Sequence, residues 1–112
     1  MSSDKVISAA SKQYILVAIE GKDDNGVLDP TSLPVAMAFL PQDEAPDEDT
    51  VWHTGSWVTI VQSNLPNIYK GRVLIGPDGG VVTLTPGSWD VWVKVTHAVE
   101  EPVVKADTIL IV

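Results

Sequence analysis

In the segment Pro86-Gly87-Ser88-Trp89-Asp90-Val91-Trp92-Val93-Lys94-Val95-Thr96, alternate residues fall into two sets. Trp89, Val91, Val93 and Val95 form one, and Asp90, Trp92, Lys94 and Thr96 the other. Successive side chains of an extended chain point to opposite faces. The segment therefore reads as a β-strand whose Trp89 face lies on a core and whose Asp90 face looks away from it. Valine and tryptophan suit such a pleated, half-buried surface, and the preceding Pro-Gly pair marks a turn into it.

Working outward, the same period recurs. Tyr69 to Ile75 sets Tyr69, Val73 and Ile75 on one face and Lys70, Arg72 and Leu74 on the other, and the two cations put that second face in water. Gly76-Pro77-Asp78-Gly79-Gly80 is a turn, followed by an expected short strand from Val81 to Leu84. Val51 to Gln62 is strand-like, with Trp52 and Trp57 either side of Gly55; the glycine predicts a bulge and leaves the faces of this strand open. Val35 to Leu40 lies between Pro34 and Pro41, as a strand bounded by residues without an amide donor should. Its Ala36-Met37-Ala38 could be helical, but the prolines leave too few residues for a stable helix.

Gln13 to Glu20 alternates Gln13, Ile15, Val17 and Ile19 with Tyr14, Leu16, Ala18 and Glu20, and stops at a turn, Gly21 to Gly26, signalled by Asn25-Gly26. Val6 to Ala10, within residues 1–12, is a first strand or an N-terminal arm. After Glu100-Glu101-Pro102 a last strand runs from Val103 to Val112. About seven to eight short strands separated by turns every 8–12 residues are the rhythm of an all-β fold, a single immunoglobulin-like antiparallel β-sandwich spanning residues 1–112. No internal repeat or heptad pattern is present.

The 112 residues carry 15 acids and 7 bases, a formal charge of −8. A chain of this size buries roughly 65% of its unfolded surface, enough for one modest core. Affinity for nucleic acid and for anionic membranes comes from Lys and Arg, so neither is an expected partner. Five of the acids, Asp43, Glu44, Asp47, Glu48 and Asp49, lie within residues 41–50 with no base among them, which predicts a loop that points to solvent or towards a basic partner. The N-terminus lacks the apolar run of a secretory signal, and no stretch approaches the ~20 apolar residues of a membrane-spanning helix. As a complete product the chain would be made and kept in a cytoplasm, or leave it within something larger.

With no cysteine, disulfides, thiolate metal sites and cysteine nucleophiles are excluded. Asp23, Asp24, Asn25 and Asp29 carry oxygen ligands, yet their order does not match a calcium loop, and a polar turn is the better reading. His53 and His97 have no ligand-spaced companions. Gly55-Ser56-Trp57 and Gly87-Ser88-Trp89 are isolated Gly-Ser pairs without a nucleophile motif, and Gly76 to Gly80 lacks a phosphate-loop lysine. The expectation is a non-enzymatic protein without cofactor or metal.

Two features point to a protein partner. Trp92 shares a face with Asp90 and Lys94, away from the core, where an indole is a ready contact. The closing Ile109-Leu110-Ile111-Val112 is apolar on both faces, so that strand is either interior to a sheet or covered by another subunit. Trp92, Asp90, Lys94, Ile109, Ile111 and Val112 are accordingly the candidate partner-binding residues.

The Pro86 to Thr96 strand resembles the Pro-Gly-Thr-Tyr strand with alternating valines of immunoglobulin-like domains, Trp89 standing where they often carry a corner tyrosine. Together with Leu28-Asp29-Pro30-Thr31, the Trp52 and Trp57 pair, Tyr69 to Pro77 and Glu101-Pro102-Val103, most of the chain resembles small structural proteins of tailed bacteriophages of actinobacteria. It is also similar in pattern to the N-terminal immunoglobulin-like domain of phage baseplate upper proteins. The resemblance implies a virion component of capsid, neck, tail or baseplate, assembled in the host cytoplasm, whose partners are other virion proteins or further copies of itself. It transfers no catalytic or binding residue. The alternative is a carbohydrate- or receptor-binding sandwich module whose tryptophans stack on sugars.

Overall fold

The computed structural model describes residues 5–19, 21–23, 26–28, 30–96 and 103–112. In chain order the strands are β1 (Lys5–Ile7), β2 (Gln13–Ala18), β3 (Gly21–Asp23), β4 (Gly26–Leu28), β5 (Val35–Pro41), β6 (His53–Thr54), β7 (Ser56–Ile60), β8 (Ile68–Ile75), β9 (Gly87–Val95) and β10 (Val103–Ile111), and the described residues contain no helix. Eight of them form two sheets, ordered β1-β10-β9-β5-β6 and β2-β8-β7, while β3 and β4 make a separate hairpin. This is the all-β sandwich expected from the alternation. Its orders β10-β9-β5-β6 and β2-β8-β7 are those of strands G-F-C-C′ and B-E-D in immunoglobulin-like domains.

The core forms where alternate residues of the two sheets meet. Val91 and Val93 from β9, Val35, Met37 and Phe39 from β5, and Ile109 and Ile111 from β10 face Ile15 of β2 and Val73 and Ile75 of β8. Trp89 and Val95 pack against the same cluster, completing the β9 face read from sequence. At the start of β9 the indole N–H of Trp89 donates to the carbonyl of Thr85 at 2.9 Å. A tryptophan thus makes the upstream backbone bond that a corner tyrosine makes in other domains of this architecture. Trp57 also faces the core, and its N–H donates to the Leu33 carbonyl at 2.8 Å.

Four segments depart from the sequence reading. The chain from Val51 to Gln62 is two strands in different sheets: Thr54 pairs with Ala36 of β5 and Ser56 with Arg72 of β8, so Gly55 is a crossing between layers rather than a bulge. Val81 to Leu84 is not a strand. It leaves β8 after two backbone bonds, Val81 to Leu74 and Gly76 to Val82, then carries the chain across to the other sheet and buries Leu84 in the core. Gly21 to Gly26, read as a turn, contributes the flanks of the β3–β4 hairpin. Asp24, Asn25, Asp29 and His97 lie outside the described residues.

The fourth departure concerns the partner residues of the last strand, which the sequence left either interior to a sheet or covered by another subunit. β1 pairs in parallel with β10, matching Val6 with Leu110, which makes β10 an interior strand. Ile109 and Ile111 are therefore core residues, 0% and 2% exposed, and are withdrawn from the partner-binding set; their side chains point into the sandwich and β1 covers this end of the strand edge. The edges of this sheet are β1 and β6, of three and two residues, short enough to resist edge-to-edge pairing.

Candidate functional site

The outer face of the five-stranded sheet collects most of the residues singled out from sequence. Register places Asp90, Trp92 and Lys94 of β9 beside Leu40, Ala38 and Ala36 of β5. Ala38 is fully buried on this outer face, small enough to lie beneath the larger side chains around it. Trp52, just before β6, receives Lys94: the ammonium sits 4.7 Å from the indole centroid, a cation–π contact that covers one side of the ring. Trp92 is half-buried, and its indole N–H is sequestered with no acceptor among the described residues. A buried donor left unpaired is unfavourable by about 1–3 kcal/mol.

Asp90 does not present itself to a partner. Only 1% exposed, its carboxylate accepts the backbone N–H of Asp43 at 3.1 Å through Oδ2 and the hydroxyl of Thr108 at 2.8 Å through Oδ1. The loop after β5 folds back over β9, helped by a bond from the Gln42 N–H to the Ser88 carbonyl, and this removes Asp90 from solvent. It corrects the expectation that Asp90 is a contact residue; Asp90 is the anchor of the acidic loop.

That loop is ordered by its own hydrogen bonds. Asp43 adopts a left-handed φ of 72°, which aspartate tolerates better than most residues, and Glu44 N–H closes a turn on the Pro41 carbonyl. Further on, Asp47 Oδ1 accepts from the Asp49 N–H at 2.9 Å while Thr50 Oγ1 accepts from the Asp47 N–H at 2.8 Å. Asp43, Glu44, Asp47, Glu48 and Asp49 are all exposed. Between this loop and the sandwich lies an open groove of about 450 Å³ lined by Phe39, Val51, His53 and Val82 with Glu44, Asp47 and Asp49 at its rim. Burial holds the His53 imidazole below its ordinary pKa, and its ring lies 6.1 Å from that of Phe39.

On the opposite layer, the outer face of the three-stranded sheet carries Tyr14 and Leu16 of β2, Ser56, Val58 and Ile60 of β7, and Ile68, Lys70, Arg72 and Leu74 of β8. Arg72, the single arginine of the chain, stacks 4.6 Å from the Tyr14 ring centroid and donates from Nε to Ser56 Oγ at 3.0 Å. Alternation placed Arg72 and Lys70 on a solvated face, but the cross-strand support from Tyr14 and Ser56 needs the register, which sequence did not supply.

Chemically, the described residues bring together no group of three or more His, Asp or Glu able to hold a metal ion. Among the described residues no helix is long and apolar enough to cross a membrane. Comparison with protein-family models, curated proteins and solved structures finds no match. Of the sequence-derived partner residues, Trp92, Lys94 and Val112 remain at the surface, Trp92 and Lys94 half-buried and Val112 57% exposed.

Proposed function

We propose that this chain is a non-enzymatic structural component of a tailed-bacteriophage particle, a single sandwich that works through protein–protein contacts with other virion proteins or with itself. The observation that carries the reading is the disposition of charge. One outer face anchors a preordered loop of five carboxylates, and the other displays an arginine and a lysine among exposed apolar side chains. Small rigid surfaces of this kind suit a symmetric shell or tube, where repetition multiplies weak contacts through effective concentration. The resemblance of the Pro86 to Thr96 strand and its neighbours to actinobacteriophage structural proteins supports the same assignment.

The sugar-binding alternative gains no support from the tryptophans. Trp57 and Trp89 lean on the core with their N–H groups spent on backbone carbonyls, Trp52 is covered on one side by Lys94, and the Trp92 N–H is buried. A stacking platform needs a bare ring face with polar groups beside it. The decisive experiment is mass spectrometry and imaging of gradient-purified particles from a phage that encodes this chain. Its presence at fixed copy number in the particle is expected; its absence, with the protein free in the lysate, overturns the assignment.

A further inference from the structure

We infer that the outer face of the three-stranded sheet docks the acidic loop of a second copy of this chain, so that copies join head to tail. The inference rests on the assembly reading above and names its contact. Arg72 is prepared for a carboxylate. Its Nε is held by Ser56 and its Cζ lies over the Tyr14 ring, and no hydrogen bond among the described residues engages its terminal nitrogens. Those nitrogens can grip a carboxylate in bidentate fashion, at little entropic cost because the guanidinium is already positioned. Lys70 stands beside it on the same face, which carries no acid among its described residues. Tyr14, Leu16, Ile60 and Ile68 are each 36–42% exposed around the pair and supply the apolar surface.

The occupant is identified by complementarity within the chain itself. Loop residues Asp43, Glu44, Asp47, Glu48 and Asp49 offer five exposed carboxylates on a backbone already fixed at Asp90 and Thr50. The loop is anchored to the outer face of one sheet and Arg72 stands on the outer face of the other, so a single copy cannot close the contact on itself. Between copies the contact is heterologous, each molecule using its loop on one neighbour and its Arg72 face on the other, which yields a ring or a filament.

Net charge adds a signature. At −8 overall, copies repel one another at long range. With a Debye length of about 30 Å at 0.01 M salt, that repulsion dominates; at about 0.15 M the length falls to about 8 Å and only the close pairs persist; at about 1 M they too are screened. Association is therefore expected to peak at intermediate salt.

The experiment is sedimentation velocity of the intact chain across that salt series, with two variants checked for native near-ultraviolet circular dichroism. Lys70→Glu/Arg72→Glu reverses the docking face; Asp47→Asn/Glu48→Gln/Asp49→Asn neutralises the loop while the amide oxygen introduced at position 47 still caps the turn. Wild type is expected to self-associate with a maximum at intermediate salt. Each variant alone should weaken that association at least tenfold, and an equimolar mixture should form a dimer that grows no further, since only one complementary pair of surfaces survives. A wild type that is monomeric at every salt, a face-reversed variant that associates like wild type, or a mixture that stays monomeric overturns the inference. Binding of a poly-glutamate peptide by a monomeric wild type likewise overturns it and assigns the face to another acidic protein. The two readings fail separately: particles that contain the chain although it never self-associates refute only this contact, and charge-dependent self-association of a chain absent from particles refutes only the virion assignment.

Discussion

The carboxylate of Asp90 accepts the backbone N–H of Asp43 at 3.1 Å, joining a strand residue read as solvent-facing to the first acid of a loop read as free. A buried carboxylate in the middle of a sheet is unfavourable unless its oxygens are paired. Here the second oxygen takes the Thr108 hydroxyl at 2.8 Å, so one side chain ties β9, β10 and the acidic loop together. The start of the loop at Asp43 depends on this residue, while the turn from Asp47 to Thr50 is held by bonds within the loop.

Asp90→Ala should therefore cost about 3 kcal/mol, because a loop amide and a hydroxyl lose a charged acceptor while partly buried. Asp90→Asn keeps one acceptor oxygen and should cost about 1 kcal/mol. Urea denaturation measures both. In Asp90→Ala, hydrogen exchange at the Asp43 amide should accelerate well before global unfolding; unchanged protection there would show that the loop is held by other means.

His53 gives stability a pH dependence of known sign. Burial lowers its pKa in the folded state below the ordinary 6.5, so the unfolded chain binds the proton more tightly. Its contribution is present above the unfolded pKa, and is lost as pH falls from there through the folded value. The carboxylates of Glu44, Asp47 and Asp49 in the same groove do not reverse that direction. Urea midpoints should fall between about pH 7 and pH 5, and His53→Gln should flatten part of that slope. Identical slopes for the two proteins would remove His53 from the account.

The legible part of this fold is what period two encodes. Alternation separated two faces in Gln13 to Glu20 and assigned inner and outer ones in Tyr69 to Ile75 and Trp89 to Thr96, and Val73, Ile75, Val91 and Val93 are buried accordingly. What stayed hidden depends on contacts between distant segments. Asp90 looked solvent-facing because nothing local says that a loop will return over it. Ile109 and Ile111 looked like a partner surface because the covering strand, β1, lies at the other end of the chain. Gly55 signalled an irregularity, but a bulge and a change of sheet leave the same mark in a sequence. The Arg72 site needed the β2–β8–β7 register to bring Tyr14 and Ser56 beside it.

Three of the four tryptophans separate cleanly by the fate of the indole N–H. Trp57 and Trp89 donate to the carbonyls of Leu33 and Thr85, whereas the Trp92 N–H is buried without an acceptor among the described residues. Replacing tryptophan by phenylalanine removes the donor in each case, but leaves a part-buried carbonyl unpaired only at position 57, since Thr85 is exposed and water takes the place of the Trp89 donor. Trp57→Phe should cost about 1–3 kcal/mol, whereas Trp89→Phe and Trp92→Phe should stay within about 1 kcal/mol of wild type, the first because water pairs the freed carbonyl and the second because its lost area is offset by the removed orphan donor. Thermal and urea unfolding of the three variants check the order, and a Trp92→Phe protein as unstable as Trp57→Phe would mean that its N–H has a partner after all.

The sharpest steric requirement lies at Gly55, where the chain passes from β6 to β7 in a single residue. Its N–H donates to the Val35 carbonyl at 2.8 Å, tying it to β5, while a Cβ placed on it would lie 2.7 Å from the backbone oxygen of Arg72 and 3.1 Å from Val73 Cγ2. Backbone cannot swing aside as a flexible side chain can, so Gly55→Ala must push β8 away from the crossing. Overpacking of this kind typically costs about 1–3 kcal/mol, and the upper end is expected because β8 is the central strand of its sheet. The displacement would fall on Arg72 and Ser56, the two ends of the hydrogen bond that positions the guanidinium. Gly55→Ala should accordingly lower the urea midpoint and, at concentrations where it remains folded, weaken any association that depends on Arg72; a variant as stable as wild type would show that the two layers are not in close contact at this crossing.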